Sequence, residues 1–152
     1  AHSEINLNIS NYFVRKNLEK ATRESDRASK TVWASAGLSS NRNYQPGGTG
    51  IIAFASQSSR VVDKGRDSLG RFCYLKLNGK RGKQILIISI YQSCRSSNNG
   101  NFTFHMQQRL MLTMQGRANL DPRHNVYLDL VELTSKHSNC EIIILGDFNE
   151  QC

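Results

Sequence analysis

Glu141-Ile142-Ile143-Ile144-Leu145-Gly146-Asp147-Phe148-Asn149-Glu150 passes from an unbroken apolar run to a cluster of polar and turn-forming residues. A strand with apolar side chains on both faces is expected to lie at the centre of a covered sheet. Gly146 then permits a bend or a close approach of backbones. Asp147 and Asn149 are two residues apart, so continued extended geometry sends both to one face and Phe148 to the other, where its ring can anchor the strand. An acid and an amide at a strand's carboxyl end stand where open α/β sheets place their ligands. The carboxylate can take a proton from water or help hold a hard cation, and the amide can orient that water. Gly, Asp and Asn are also common turn formers, and these four residues alone support a plain turn equally well.

The preceding segments supply what would cover such a strand. Asp121 is placed to cap a helix whose first turn takes Pro122, with Val126, Tyr127, Leu130, Val131 and Thr134 on one face. Phe104, Gln107, Leu110 or Met111, and Met114 recur at helical spacing and predict an earlier helix ending near Gly116. Further upstream the period shortens to that of strands. Gln84–Tyr91 is an apolar run, and Asn78-Gly79-Lys80-Arg81-Gly82 is a turn before it. In Arg71–Leu77, Phe72, Tyr74 and Lys76 alternate with Cys73, Leu75 and Leu77. With the shorter runs Arg60–Asp63 and Ile51–Ala55, these predict an antiparallel meander. Gly37 to Gly50 reads as a loop and Tyr12–Arg27 as a polar helix. The expected fold class is therefore mixed α/β (α+β), one domain of strands with helices packed over them.

Length and composition agree with that picture. The 152 residues suffice for one domain with a core; 38% are hydrophobic and 21% charged, which suits a globular chain. No apolar run approaches the roughly 20 residues that span a bilayer. Twenty Lys and Arg against twelve Asp and Glu leave a net charge of +8, which favours polyanionic partners, nucleic acid first. The cations are scattered, so a solvated basic surface is the competing explanation. The four cysteines lack CxxC spacing and the four histidines lie far apart, so no zinc site is expected. Cys73 and Cys140 read as small core residues. No signal peptide opens the sequence, and the corresponding expectation is an intracellular, nuclear setting.

Two further positions carry chemistry. Tyr91 closes its apolar strand and precedes a polar loop containing Arg95. Its hydroxyl can donate to a phosphate oxygen and Arg95 can add charge, or the ring can simply pack in the core with its hydroxyl in water. Glu4, in Ser3-Glu4-Ile5-Asn6, is a carboxylate close to the first residue, where surface exposure is the ordinary outcome.

In chain order these pieces resemble the endonuclease/exonuclease/phosphatase superfamily, which includes abasic-site endonucleases, pancreatic-type DNases and the endonuclease domains of non-LTR retrotransposons. Ser3-Glu4-Ile5-Asn6 is similar to the segment bearing the family's metal-binding glutamate. Gly47-Gly48-Thr49-Gly50-Ile51 is similar to its Gly-rich strand start, and Ser68-Leu69-Gly70-Arg71-Phe72 to its Gly-Arg-aromatic strand. Ile88-Ser89-Ile90-Tyr91 resembles the strand ending in an active-site tyrosine, and Ile144-Leu145-Gly146-Asp147-Phe148-Asn149 the signature Gly-Asp-Phe-Asn strand. The texture between Tyr91 and Asp147 looks closer to the retroelement members, which would place a reverse-transcriptase region downstream in the same polypeptide.

The resemblance implies two β-sheets packed face to face and flanked by helices. It implies Glu4 as a ligand of Mg2+ or Mn2+, Tyr91 as a phosphate contact, Asp147 as the group that activates or positions water, and Asn149 as its orienting partner. DNA would be the substrate and Arg95 a nucleic-acid contact. It also implies a partial domain over residues 1–152: the family has an Asn-bearing strand before the glutamate and an Asp-His ending after the Asn, and neither is in this sequence. Such a piece is expected to expose edges and apolar surface, and to be weakly active or inactive alone. A phosphoesterase of the same fold acting on a nucleotide or phospholipid, and a non-catalytic nucleic-acid-binding module, are the alternative functions.

Overall fold

The alternation in Phe72–Leu77 sets the architecture, because it gives one strand two apolar faces that need separate covers. A computed structural model of the protein describes residues 1–37, 44–94 and 103–150. In chain order these form β1 (His2–Ser3), α1 (Tyr12–Ser25), β2 (Lys30–Ala34), β3 (Thr49–Ala53), the single turn α2 (Ser56–Ser59) and β4 (Val61–Arg66). There follow β5 (Phe72–Asn78), a 3-10 turn, β6 (Gln84–Tyr91), α3 (Phe104–Met114), α4 (Pro122–Lys136) and β7 (Cys140–Asp147).

Two sheets result, one ordered β1-β3-β2 and the other β4-β5-β6-β7. Strands β4, β5 and β6 make the expected antiparallel meander. β7 joins β6 in parallel, which requires a crossover, and α3 and α4 lie in that connection. Cys73, Leu75 and Leu77 of β5 pack with Val32, Ala34, Ile51 and Ala53 of the other sheet, so the two sheets meet face to face. On the opposite face Phe72, Leu86, Ile88 and Ile90 pack beneath Val126 and Leu130 of α4. This is the expected α+β arrangement of two sheets and outer helices. β2, with the sequence Lys30-Thr31-Val32-Trp33-Ala34, is a strand that no reading of periodicity anticipated.

The helix starts follow from their caps. Asn11 accepts from the Phe13 and Val14 amides, Thr103 from Met106, and Asp121 from Arg123 and His124. The buried stripes differ from the expected ones. α3 buries Phe104, Gln107, Gln108 and Leu112, and leaves Leu110 and Met114 exposed. α4 buries Pro122, Asn125, Val126 and Leu130, and leaves Tyr127 and Val131 exposed. Polar pairing drives the rotation. Gln108 Nε2 donates to the Leu69 carbonyl, Gln45 Nε2 donates to Gln107 Oε1, and Asn125 Oδ1 accepts from Arg71 at 2.7 Å.

Arg71 is the centre of this buried network. Its Nε donates to Asp67 at 2.7 Å, and its Nη2 to Asp67 and Asp129, while Arg117 reaches Asp129 at 3.1 Å. Burial works against the guanidinium charge, but Asp67 and Asp129 outweigh it and raise the pKa above its ordinary value. A buried charge tolerates no unpaired partner, so α4 is pinned over the start of β5.

The expectation that β7 is central in a covered sheet is overturned. Among the described residues β7 is an edge strand, and Ile142, Ile143, Ile144 and Leu145 are 40%, 43%, 39% and 46% exposed. Apolar composition states what a strand gains from burial. Its place in the sheet is set by pairing, and α4 covers the sheet over β5 and β6. No described helix is long and apolar enough to cross a membrane.

Candidate functional site

Parallel pairing of β6 and β7 places Tyr91 directly opposite Asp147. The pair is locked on both sides: the Tyr91 amide donates to the Arg71 carbonyl at 2.8 Å, and the Gln92 amide donates to the Asp147 carbonyl at 2.9 Å. The Arg71 network thus reaches the strand end through its backbone. Gly146 is required by the same close approach, since a Cβ there would lie 1.9 Å from the Ile90 carbonyl oxygen.

Extended geometry stops at Asp147. Asn149 has a φ of 47°, and its amide donates to Asp147 Oδ1 at 3.0 Å, so the chain folds back through an Asx-type turn. The expected same-face projection of Asp147 and Asn149 is therefore replaced by a turn in which the carboxylate itself is the cap. Asn149 Nδ2 donates to the Gln92 carbonyl at 2.6 Å, and its Oδ1 accepts from the Cys94 thiol at 3.2 Å. Phe148 packs against the cluster beneath α4, as anticipated.

Glu4 arrives from the other sheet. The Thr49 hydroxyl donates to the His2 carbonyl at 2.7 Å and lies 2.5 Å from the Ser89 hydroxyl, which ties β1 to β6 across the sandwich. The Ile5 and Asn6 amides donate to Gly48 and Gly47, and the Gly47 amide donates back to Asn6 Oδ1 at 2.9 Å. Gly48, at a φ of 86°, has the Ala34 carbonyl where a side chain would be. Held this way, Glu4 lines the same cavity as Tyr91. Burial, with Glu4, Cys94 and Asp147 near, raises the Tyr91 pKa far above its ordinary value. The Tyr91 ring is buried 5.2 Å from Phe104, so the core packing is present.

A cavity of about 260 Å3 opens here, lined by Glu4, Asn6, Tyr91, Cys94, Thr103 and His105 among others. Glu4, Asn6 and Asn149 have φ values of 55°, 50° and 47°, a conformation L-residues seldom adopt and one that carries a cost of roughly 1–3 kcal/mol outside glycine. Strain of this kind is retained where surrounding contacts over-determine the backbone; Glu4 and Asn6 line the cleft, Asn149 closes the turn after Asp147, and Ala55 and Arg81 adopt the same conformation elsewhere. Arg95 lies outside the described residues, so its placement as a nucleic-acid contact stays an expectation.

Two lining residues had no sequence reading. Asn6 stands two residues after Glu4, the same spacing as Asp147 and Asn149, and that repeat was the available signal. His105 lies in the first turn of α3, with Nδ1 3.3 Å from the Ser93 hydroxyl. Burial lowers its pKa, Asp121 opposes that, and Arg109 and Arg123 lower it further. His105 and Tyr91 line the same cavity, which no local pattern reports.

The donor set suits a hydrated hard cation. Among the described residues no three His, Cys, Asp or Glu side chains gather as a ligand cluster. Mg2+ needs only one or two carboxylates, with water and substrate oxygens completing its shell, and this strand end offers Glu4 in the cavity and Asp147 opposite Tyr91. No protein-family model matches the chain, and no curated protein matches it.

Proposed function

We propose that this cleft performs metal-dependent hydrolysis of phosphodiester bonds, with nucleic acid, DNA first, as substrate and Mg2+ or Mn2+ as cofactor. The observation that carries the reading is that Tyr91 shares a cavity with Glu4 and a strand-end pairing with Asp147, which brings together three segments far apart in the sequence. A net charge of +8 favours a polyanionic substrate over a neutral one.

Each residue has a defined task. Glu4 would hold the cation, and Asp147 would share it or accept the proton of attacking water. Bound Mg2+ supplies charge stabilisation at the phosphoryl and leaving oxygens. Tyr91, with its raised pKa, keeps its proton through the neutral range and can donate to a phosphoryl oxygen. Asn149 serves as a positioning residue: its amide clamps the Asp147 turn to Gln92 and Cys94, which keeps the carboxylate beside Tyr91.

Nicking of supercoiled plasmid by the purified chain tests this. The expected result is weak nicking that requires Mg2+ or Mn2+ and is lost in Asp147→Ala. A cooperatively folded chain that neither binds Mg2+ or Mn2+ nor shows metal-dependent nicking would sink the reading. DNA retention by both proteins without nicking would identify a binding module instead. Turnover confined to a nucleotide or lipid phosphate would keep the chemistry and change the substrate class.

A further inference from the structure

We infer that His105 is a phosphoryl-oxygen donor of this cleft, set in place by Ser93. The inference rests on the phosphodiesterase reading above and adds a residue to which neither motif nor spacing assigned a role. His105 lines the cavity that Glu4 and Tyr91 also line, so a phosphate held at those residues lies within the same enclosure. Nδ1 is 3.3 Å from the Ser93 hydroxyl, and among the described residues Nε2 has no hydrogen-bond partner.

Tautomer chemistry gives the pair its use. A neutral imidazole carries one N–H and one acceptor nitrogen, and a hydroxyl can donate or accept as it rotates. A phosphoryl oxygen only accepts. When one enters the cleft, the favoured state has the proton on Nε2, pointing at phosphate, and the Ser93 hydroxyl donating to Nδ1. Ser93 is buried, and among the described residues its hydroxyl has no partner other than His105, so nothing competes for that rotation. The Ser93 carbonyl accepts from Arg123, and Arg123 also approaches Glu150 at 3.4 Å, which holds the hydroxyl's backbone in place. The groups around the ring are Asp121, Arg109 and Arg123; burial and the two arginines outweigh Asp121 and lower the His105 pKa from its ordinary value, which favours the neutral imidazole. The donor therefore works without a titration step and is distinct from a general acid.

Two measurements together test the inference. One is 15N NMR of His105 in the unmodified chain during titration with thymidine 5′-monophosphate without metal. The other is plasmid nicking by His105→Ala, His105→Gln and Ser93→Ala. A shift of Nε2 to its protonated, hydrogen-bonded signature is expected as nucleotide is added. His105→Ala should lose about 10–10²-fold in kcat/KM, the range of a hydrogen bond to a charged group. His105→Gln, whose amide nitrogen reaches the Nε2 position, should recover most of it, and Ser93→Ala should lose less than His105→Ala. Full activity in His105→Ala overturns the inference and leaves the phosphodiesterase reading standing. A Nε2 response without any turnover by the unmodified chain supports the donor site and overturns the enzyme. Neither response nor turnover overturns both.

Discussion

The two edges of the four-stranded sheet are treated in opposite ways. At β4, long basic side chains cross to the neighbouring edge of the other sheet. Lys64 Nζ donates to the Thr31 carbonyl at 2.9 Å, Arg66 Nη1 to the Trp33 carbonyl at 3.5 Å, and Lys30 Nζ returns to the Val61 carbonyl at 3.1 Å. Unpaired strand carbonyls are thereby capped by charges, one of the ordinary defences against edge pairing. The groove of about 270 Å3 beside them, lined by Arg15, Lys64 and Arg66, takes its basic character from side chains largely spent on this closure. At β7 no such device exists among the described residues: four branched aliphatics stand half exposed and the outer edge is bare. Yet β7 delivers Asp147. The carboxylate on the less protected strand is held by contacts at that strand's end, through Gln92, Asn149 and Cys94, rather than by cover along its length.

The largest effect expected from this contrast compares isoleucines that face each other in register. Ile88 on β6 is fully buried, and its partner Ile144 on β7 is 39% exposed. Ile88→Ala should destabilise the chain by about 2–5 kcal/mol in urea unfolding, through lost transfer energy and a cavity. Ile144→Ala should cost roughly 1 kcal/mol, because much of that side chain already meets water. Equal costs would show that β7 is covered in solution and would break the comparison.

A smaller effect follows from exchanging the edges' characters. Ile143→Lys places a charge on β7 and should suppress concentration-dependent association, read by light scattering, while changing stability by no more than about 1 kcal/mol. Removing Lys64 and Arg66 together uncovers the Thr31 and Trp33 carbonyls and should raise association. If β4 without its cations stays monomeric while β7 with its lysine still associates, edge capping is not what separates the two sides.

Local patterns disclosed the parts of the fold that local physics controls. The alternation of β5, the Asp121-Pro122 helix start and the run of β6 all stand where their periods and caps put them. What was hidden depends on distant partners. β2 is five residues whose strand character comes from β3. The inward turn of Gln107, Gln108 and Asn125 answers polar groups on other elements, Arg71 for Asn125 and the Leu69 carbonyl for Gln108. Among the described residues β7 is an edge strand, because sheet order depends on pairing partners that composition does not name. At the site, Glu4, Tyr91 and Asp147 could be singled out by residue type and resemblance, but their meeting is a product of pairing across both sheets. Asn149 shows the limit most sharply: its neighbour spacing predicted shared direction, and a left-handed turn replaced it.

The least perturbing probe of the contrast uses the native thiols. Cys73 is wholly buried between the two sheets, whereas Cys140 opens β7 and is only partly covered. Burial raises the Cys73 thiol to about 12. The thiolate is the reactive form, so burial and the raised pKa both protect Cys73 from alkylation. With Cys94 and Cys152 replaced by serine, iodoacetamide at mildly alkaline pH should label Cys140 in the folded chain and Cys73 only through unfolding. The sign of the linked stability follows from the raised pKa. The unfolded thiol ionises near 9, so its contribution is complete below that pH and declines as the pH rises toward 12. Cys73 labelling should therefore accelerate with alkali more steeply than Cys140 labelling. Matching rates at both positions would mean that the sheet-to-sheet interior is as open as the β7 edge, and the protected side of the molecule would have lost its distinction.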